Sequence, residues 1–541
     1  MNSLNKFDFK DTDTRVTRYI MPLRIVKEFG NVENAETLLS YRDRQIQLVN
    51  KEYALFHKGD ALLLDFGYEF SGGITLSVGK MKAPSRFRIR FGESVGEALA
   101  PLGFKNATND HSMRDFEAVV PMYSTNSLGD SGLRFCYIEL VSDEPVCVTA
   151  IQGRFTYQPF EYYGSFECDN ERLNKIYNVS AYTCHLCIQN NIWDGIKRDR
   201  LVWIGDLSPE LKTVKYLFGE IEQIPKALEL SSLDAPLPKW INTMPTYSLW
   251  WLINLEEWHF YTGNRDCLEK FSHYALPLIE AVYNVSKTAD EFPGTFIDWQ
   301  VKGSDCERAG AHALLIRFFE AAVRVCKTLG KEYEKYESRI SELKSTTESC
   351  GGFKQIAAFL LDAGIAEKDS TDVFDTKSGL STFMSYYILT AMSKIKGDKF
   401  TLDTLAEYYG AMLDIGATTF FEDFDLDWLK NACRLDEICP DGMDDIHGDR
   451  GNHCYVGFRH SLCHGWASGP VPFLTEYVLG INITGAGCSE IEIKPHLADL
   501  NYAKGSIATP FGKLTVCHEK LPDGTISTTI DAPKQIKIKM A

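Results

Sequence analysis

At 541 residues with 44% hydrophobic content, the chain is long enough to bury several cores and, at roughly 100–200 residues per domain, divides into about three. A formal charge of -17 works against nucleic acid or an anionic membrane surface as partner, because both are bound by an excess of Lys and Arg. No run of about 18 apolar residues is present to span a bilayer, the opening MNSLNKFDFKDTDTRVTRYI lacks the apolar stretch of an export signal, and the fifteen cysteines follow no framework spacing, so the expected setting is the reducing cytoplasm.

Taken in order, residues 1 to about 50 stay open: RIVKEFGNVENAETLL reads equally as helix or irregular chain. From about 50 to 160 the hydrophobic period is two. FRIRFGE alternates Phe87, Ile89 and Phe91 with Arg88 and Arg90, and ALLLDFG, GGITLSVG, LRFCYIELV and VCVTAIQGRF are further short apolar runs bounded by turn residues, which together predict an antiparallel β-sandwich. Near 165 the pattern turns helical. DNERLNKIYNVSAYTCHLCIQNNI starts with Asp169 as its expected N-cap, and nine further long segments follow, from SPELKTVKYLFGEI to HGWASGPVPFLTEYVLG, with no short-period repeat. Paired helices closed into an α/α toroid would bury both apolar faces and leave loops at one end for chemistry; an open bundle is the alternative. After about 485 strands return, and Pro522-Asp523-Gly524 marks a hairpin turn between two of them.

Three stretches carry chemistry. In DGIKRDRLVWIGD, residues 194–206, the charges of Asp194, Lys197, Arg198, Asp199, Arg200 and Asp206 interleave with Ile196, Leu201, Trp203 and Ile204, the mixture expected of a partly buried loop whose charges pair. That is either a structural ion-pair network or a site of acid chemistry and hydroxyl recognition. GATTFFEDFDLDW sets Glu422 between aromatic residues, a setting for a general base. GNHCYVGFRHSLCHGW holds His453, His460 and His464, but the Glu of an HExxH zinc site is missing, so polar or sugar contacts are expected and no metal; Cys184 and Cys187 lie in a helical pattern and read as buried thiols. A neutral or weakly charged ligand suits the charge balance, and 12% aromatic residues suit sugar rings.

With its RDR-x-x-W-x-GD core, the first stretch resembles the signature of the family 78 glycoside hydrolases, the α-L-rhamnosidases; GATTFFEDF resembles that family's GATT-x-W-E segment, and SLCHGW its histidine region. The resemblance runs from about residue 60 to the end. It implies a multidomain α+β chain: an N-terminal β-sandwich (1–163), a central (α/α)6-barrel catalytic domain (164–484) and a small C-terminal β-sandwich (485–541). It further implies an inverting hydrolase releasing terminal α-L-rhamnose, with Asp199 as general acid and Glu422 as general base. Asp194, Arg198, Asp206, Asp298, Trp299 and His464 would bind the sugar, with Trp203 against its apolar face and Trp250 or Trp251 as a further wall. No cofactor is implied. The chain departs from the family in Gly195-Ile196 ahead of the acid, where Cys-Pro is usual, in an Asp acid where Glu is commoner, and in Phe421 for Trp, which bears on sugar preference. A hydrolase for another terminal sugar, or a decayed binding protein on the same fold, are the competing expectations.

Overall fold

The computed structural model describes residues 12–41, 45–49, 52–367, 371–453 and 455–541. Most of the opening segment read above for an export signal, residues 1–11, lies outside them. The fold is mixed α/β, and no described helix is long and apolar enough to cross a membrane.

The N-terminal part is an eight-stranded antiparallel sheet: β1 (Val16–Ile20), β2 (Arg24–Phe29), β3 (Ala54–Phe56), β4 (Ala61–Val78), β5 (Ser85–Gly92), β6 (Asp115–Val120), β7 (Ser124–Leu140) and β8 (Val146–Tyr157), with the path β1-β8-β4-β7-β5-β6, β2 on β4 and β3 on β8. RIVKEF, left open above, is strand β2, and AETLL after it is a 3-10 turn. ALLLDFG and GGITLSVG are not two strands but one, β4, bent by register shifts at Asp65/Phe70 and Gly72/Ile74. In β5, Phe87, Ile89 and Phe91 are fully buried while Arg88 and Arg90 are half-buried, as the alternation predicts. A short helix α1 (Val95–Leu99), capped by the Ser94 side chain, follows β5 and brings Glu93 and Glu97 to the edge facing the helices.

Strand β9 (Ser165–Cys168) leads into the helical region: α2 (Glu171–Cys187), α3 (Leu207–Leu217), α4 (Gln223–Asp234), α5 (Pro245–Thr262), α6 (Arg265–Asn284), α7 (Glu307–Leu329), α8 (Glu334–Lys344), α9 (Lys354–Ala363), α10 (Ser385–Lys396) and α11 (Asp398–Asp414). α2 packs on α3, α3 on α5, α5 on α7, α7 on α9, α9 on α10, α10 on α11 and α11 back on α2. The N-cap of α2 is Asn170, whose side chain accepts from the amides of Arg172 and Leu173; Asp169, the expected cap, accepts from Asn501 instead. HGWASGPVPFLTEYVLG is not one helix. Pro470 and Pro472 lack the amide protons a continuous ladder needs, and the segment breaks into a 3-10 turn, one α-turn and a π-turn.

C-terminal strands β10 (Ile481–Ile483), β11 (Glu490–Ile493), β12 (Tyr502–Thr509), β13 (Gly512–Lys520), β14 (Ile526–Asp531) and β15 (Lys537–Met540) form two sheets, β10-β11-β15 and β14-β13-β12-β9. The β13–β14 hairpin turns at Pro522-Asp523-Gly524, with Gly524 at φ 86° and Asp523 accepting from Thr525.

Candidate active site

The loop 194–206 joins α2 to α3 and is closed on itself: Asp194 bonds Leu201 through both backbone and carboxylate. Between those two points the backbone turns through Asp199 (φ 54°) and Arg200 (φ 55°), two successive non-glycine residues in the left-handed region, a conformation that costs about 1–2 kcal/mol per residue. Surrounding groups hold it there. The Asp199 amide donates to His111 Nδ1 at 2.7 Å, Arg200 pairs with Asp130 at 3.1 Å and lies over the Trp193 ring, and Ser112 donates to the Lys197 carbonyl. His111, Ser112 and Asp130 all belong to the N-terminal region.

Arg198 is the centre of the site. It is almost fully buried, stacks over the Tyr455 ring at 3.4 Å, and divides its guanidinium between two carboxylates: Nη1 donates to Asp199 Oδ1 at 2.8 Å and Nη2 to both oxygens of Glu422 at 2.8 and 2.6 Å. Glu422 is fixed a second way, its backbone amide donating to the Ser461 carbonyl and the Ser461 amide to its Oε2. Burial pushes the Glu422 carboxyl up, and Arg198 only partly offsets this.

A cleft of about 230 Å³ opens beside this pair, lined by Asp194, Asp199, Trp203, Asp206, Asn242, Thr243, Met244, Tyr247, Trp299, Glu422, Tyr455, His464 and Trp466. At its floor His464 Nε2 stands 3.8 Å from Asp194 Oδ2, 3.9 Å from Asp206 Oδ2 and 3.8 Å from Glu422 Oε1, too far for a hydrogen bond to any of them. Burial, helped by Arg198, holds this imidazole well below its usual range, so it is neutral. Asp194 and Asp206 are pushed well up by burial and by the neighbouring carboxylates, despite the bond that Tyr247 donates to Asp206 at 2.9 Å. Polar groups aimed at one space but not at one another are set for a ligand rich in hydroxyls, and Trp203, Met244 and Trp299 supply an apolar wall.

The loop, the base segment and the histidine segment thus meet, as expected. Asp298 and Trp299 converge with Glu422 in an adjoining crevice that also holds Asp423, His453 and His460; Asp423 is raised to about 6, mainly by burial. His460 and His464 do not share a helix face, since each ends or begins a separate 3-10 turn. Neither Trp250 nor Trp251 is among the lining residues of the cleft. Trp250 packs on Phe359 and Tyr387, Trp251 on Phe271 and Tyr274, and both belong to the helical core. From the start of α5, Met244 and Tyr247 line the cleft, beside Trp203 and Trp299.

Residues 161–264 match the model of the bacterial alpha-L-rhamnosidase 6 hairpin glycosidase domain. Among solved structures, a GH78 family rhamnosidase of Bacillus sp. GL1 superposes with a TM-score of 0.75 at 20% identity, over 94% of this chain and 55% of that one. The fold is that of the GH78 rhamnosidases. A rhamnosidase from Klebsiella oxytoca with rhamnose bound superposes with a TM-score of 0.67 at 18% identity, over 86% of this chain and 96% of that one. A Streptomyces avermitilis alpha-L-rhamnosidase complexed with L-rhamnose gives 0.63 at 15%, over 89% and 48%. The chain therefore spans about half of the Bacillus enzyme and nearly all of the Klebsiella one. No curated protein matches.

Proposed function

We propose that the protein is an inverting α-L-rhamnosidase, with Asp199 as general acid and Glu422 as general base. One observation carries this reading: two carboxylates far apart in the chain meet on opposite nitrogens of the Arg198 guanidinium at the rim of a cleft sized for one sugar ring. An inverting pair leaves room for a water, roughly 6.5–9.5 Å between carboxyl groups. An interposed guanidinium supports that spacing. The His111 nitrogen that accepts the Asp199 amide lies 2.9 Å from Oδ1 and, with Arg198, fixes where that carboxyl points. Asp199 would give a proton to the glycosidic oxygen as the bond breaks, while Glu422, made more basic by burial, takes one from the attacking water.

Asp194, Asp206 and His464 would hold the ring hydroxyls, and Trp203, Met244 and Trp299 the apolar face and methyl group of a 6-deoxy sugar. The closed succession of helical contacts supports an (α/α)6 barrel with the site at its loop end, and the flanking sheets a β-sandwich on either side, divided near 163 and 484. The terminal rhamnoside would come from oligosaccharides or glycosylated small molecules, met in the cytoplasm.

The test is turnover of an aryl α-L-rhamnoside by the wild type, Asp199→Asn and Glu422→Gln, with NMR of the first anomer released. Loss in both variants and initial release of β-L-rhamnose are expected. Equal turnover in all three, or α-L-rhamnose as first product, would sink the assignment.

A further inference from the structure

We propose that Glu93, from the N-terminal sheet, is a positioning residue for both halves of this site, acting on the acid loop through Lys197 and on Glu422 through Ser461. The inference rests on the reading of Asp199 and Glu422 as the working pair.

Glu93 directly follows β5 and is buried. Its Oε2 lies 2.9 Å from Lys197 Nζ and accepts from the Leu462 amide, next to Ser461, at 2.7 Å; its Oε1 lies 3.3 Å from the Ser461 hydroxyl, which shares its one proton between Glu93 and the Cys463 carbonyl at 3.1 Å. Lys197 is the residue before Arg198, and its buried ammonium also donates to the carbonyls of Phe458 and His460. Ser461 is the residue that brackets Glu422 through amide and carbonyl. One carboxylate from another sheet therefore reaches the acid loop in one step and the base in one step.

A second acid from the same sheet works on the base segment from its other end. Glu69 Oε2 lies 3.2 Å from the Thr419 hydroxyl, which donates to the Leu462 carbonyl at 2.8 Å, and the Glu69 amide donates to Thr418 Oγ1 at 3.0 Å, so both threonines of GATT lie against the N-terminal region. Burial and the neighbouring Glu93 push the Glu69 carboxyl well up, and the two acids that face Lys197 directly are Glu93 and Glu97.

Two plainer explanations fit less well. Glu93, Glu97 and His447 offer ligand atoms within 4.8 Å of one another, close enough for a divalent cation, but the Lys197 ammonium already stands among them, 2.9 Å from Glu93, 3.4 Å from Glu97 and 3.5 Å from His447. A purely structural junction needs only one anchor and is served as well by apolar packing. Here both oxygens of Glu93 are used on residues 461 and 462, and its counter-charge on the residue next to Arg198.

Glu93→Gln keeps the size and one acceptor but abandons the charge that orders Lys197. The readouts are kcat and KM on an aryl α-L-rhamnoside, amide hydrogen exchange over 194–206 and 420–424, and the thermal midpoint. The expected result is a fall in kcat of about 10–100-fold, the scale of a small misplacement of reacting groups, with KM within about threefold. Exchange should accelerate about tenfold or more in those two segments and stay unchanged in the rest of the sheet. Glu93→Asp, which restores the charge, should recover part of kcat. Should Glu93→Gln fail to fold, Ser461→Ala removes only the hydroxyl and carries the same expectation for 420–424. Unchanged kcat and exchange, or faster exchange spread over the whole N-terminal sheet in proportion to a lowered midpoint, overturns the proposal. Exchange needs no substrate, so a wild type inactive on rhamnosides would defeat the functional reading while leaving this one decided by its own measurement.

Discussion

The two ends of helix α3 hold two buried charge clusters of opposite character. At the N-terminus, Asp206 stands with Asp194, Asp199 and Glu422 around a single arginine, and carboxylates outnumber cations. Toward the C-terminus, Lys212 and Lys215 close on Glu257 at 2.6 and 2.9 Å, each charge is bonded, and the two lysines outweigh burial to draw Glu257 down to about 2. Both placements suit the helix dipole, with acid at its positive end and bases at its negative end. The difference lies in saturation. One cluster is complete without a ligand; the other has Asp194, Asp206 and Glu422 pushed up by burial and an imidazole out of bonding range of all three. Burial of charge alone did not mark the site, but unspent bonding capacity did.

Removing one member of each cluster separates the two roles. Glu422→Gln should lower kcat/KM by about 10²–10⁴-fold, the usual contribution of a positioned base, with the thermal midpoint little changed. Rates paired with calorimetry check this, and a collapse of stability in place of activity would erase the contrast. Glu257→Gln should do the reverse. It leaves two buried lysines short of a counter-charge and should cost about 3–5 kcal/mol by denaturant unfolding, while the protein that stays folded should keep the kcat of the wild type.

Asp206→Asn sharpens the comparison through pH. The folded carboxyl is raised above its unfolded value, so its contribution to stability is full below the unfolded value and lost as pH rises through the folded one. Above the unfolded value the folded wild type must either hold a proton that the unfolded chain has released or carry an unfavourable buried anion. The Asn variant should then be more stable by about 0.5–2 kcal/mol, with the gain shrinking as pH falls, and should bind substrate poorly. A gain independent of pH would contradict the assigned cause. For Glu257, drawn below its unfolded value, the order is opposite: its contribution is present above the unfolded value and fades as pH falls toward 2. The exposed pair Glu222–Lys226, at 2.6 Å and one helical turn apart, sets the lower bound, and Glu222→Ala should change unfolding free energy by no more than about 0.5 kcal/mol.

How far the chain could be read from its residues follows the same division. Alternation in β5 and the helical periods were local signals and survive in the fold. The burial and charge pairing of the 194–206 loop were legible because apolar and charged residues alternate too densely there for a solvated surface. Elements that depend on distant partners were not legible. β2 exists because β4 offers it an edge, and Asn170 displaces Asp169 as cap because Asn501 engages Asp169. Lys197 had no visible task, since its partners Glu93 and Glu97 lie about a hundred residues earlier, just after β5 and in α1. Trp250 and Trp251 misled because a tryptophan in a helix suits a core as well as a cleft, and only the packing of Phe271 and Phe359 decides between them.

Strand β9 has a bearing on how the molecule is made. It sits immediately before α2, yet its sheet partner is β12, more than three hundred residues later. During synthesis this strand emerges early and must wait, with a bare edge, until residues 503–506 have left the ribosome. The first helix of the helical region, whose Cys187 thiol touches the Asp194 carbonyl at the root of the 194–206 loop, is thus preceded by a strand whose partner is made more than three hundred residues later. A chain cut short at residue 484 would lack the partner of its own 165–168 strand, and the C-terminal sheets cannot be treated as a detachable module.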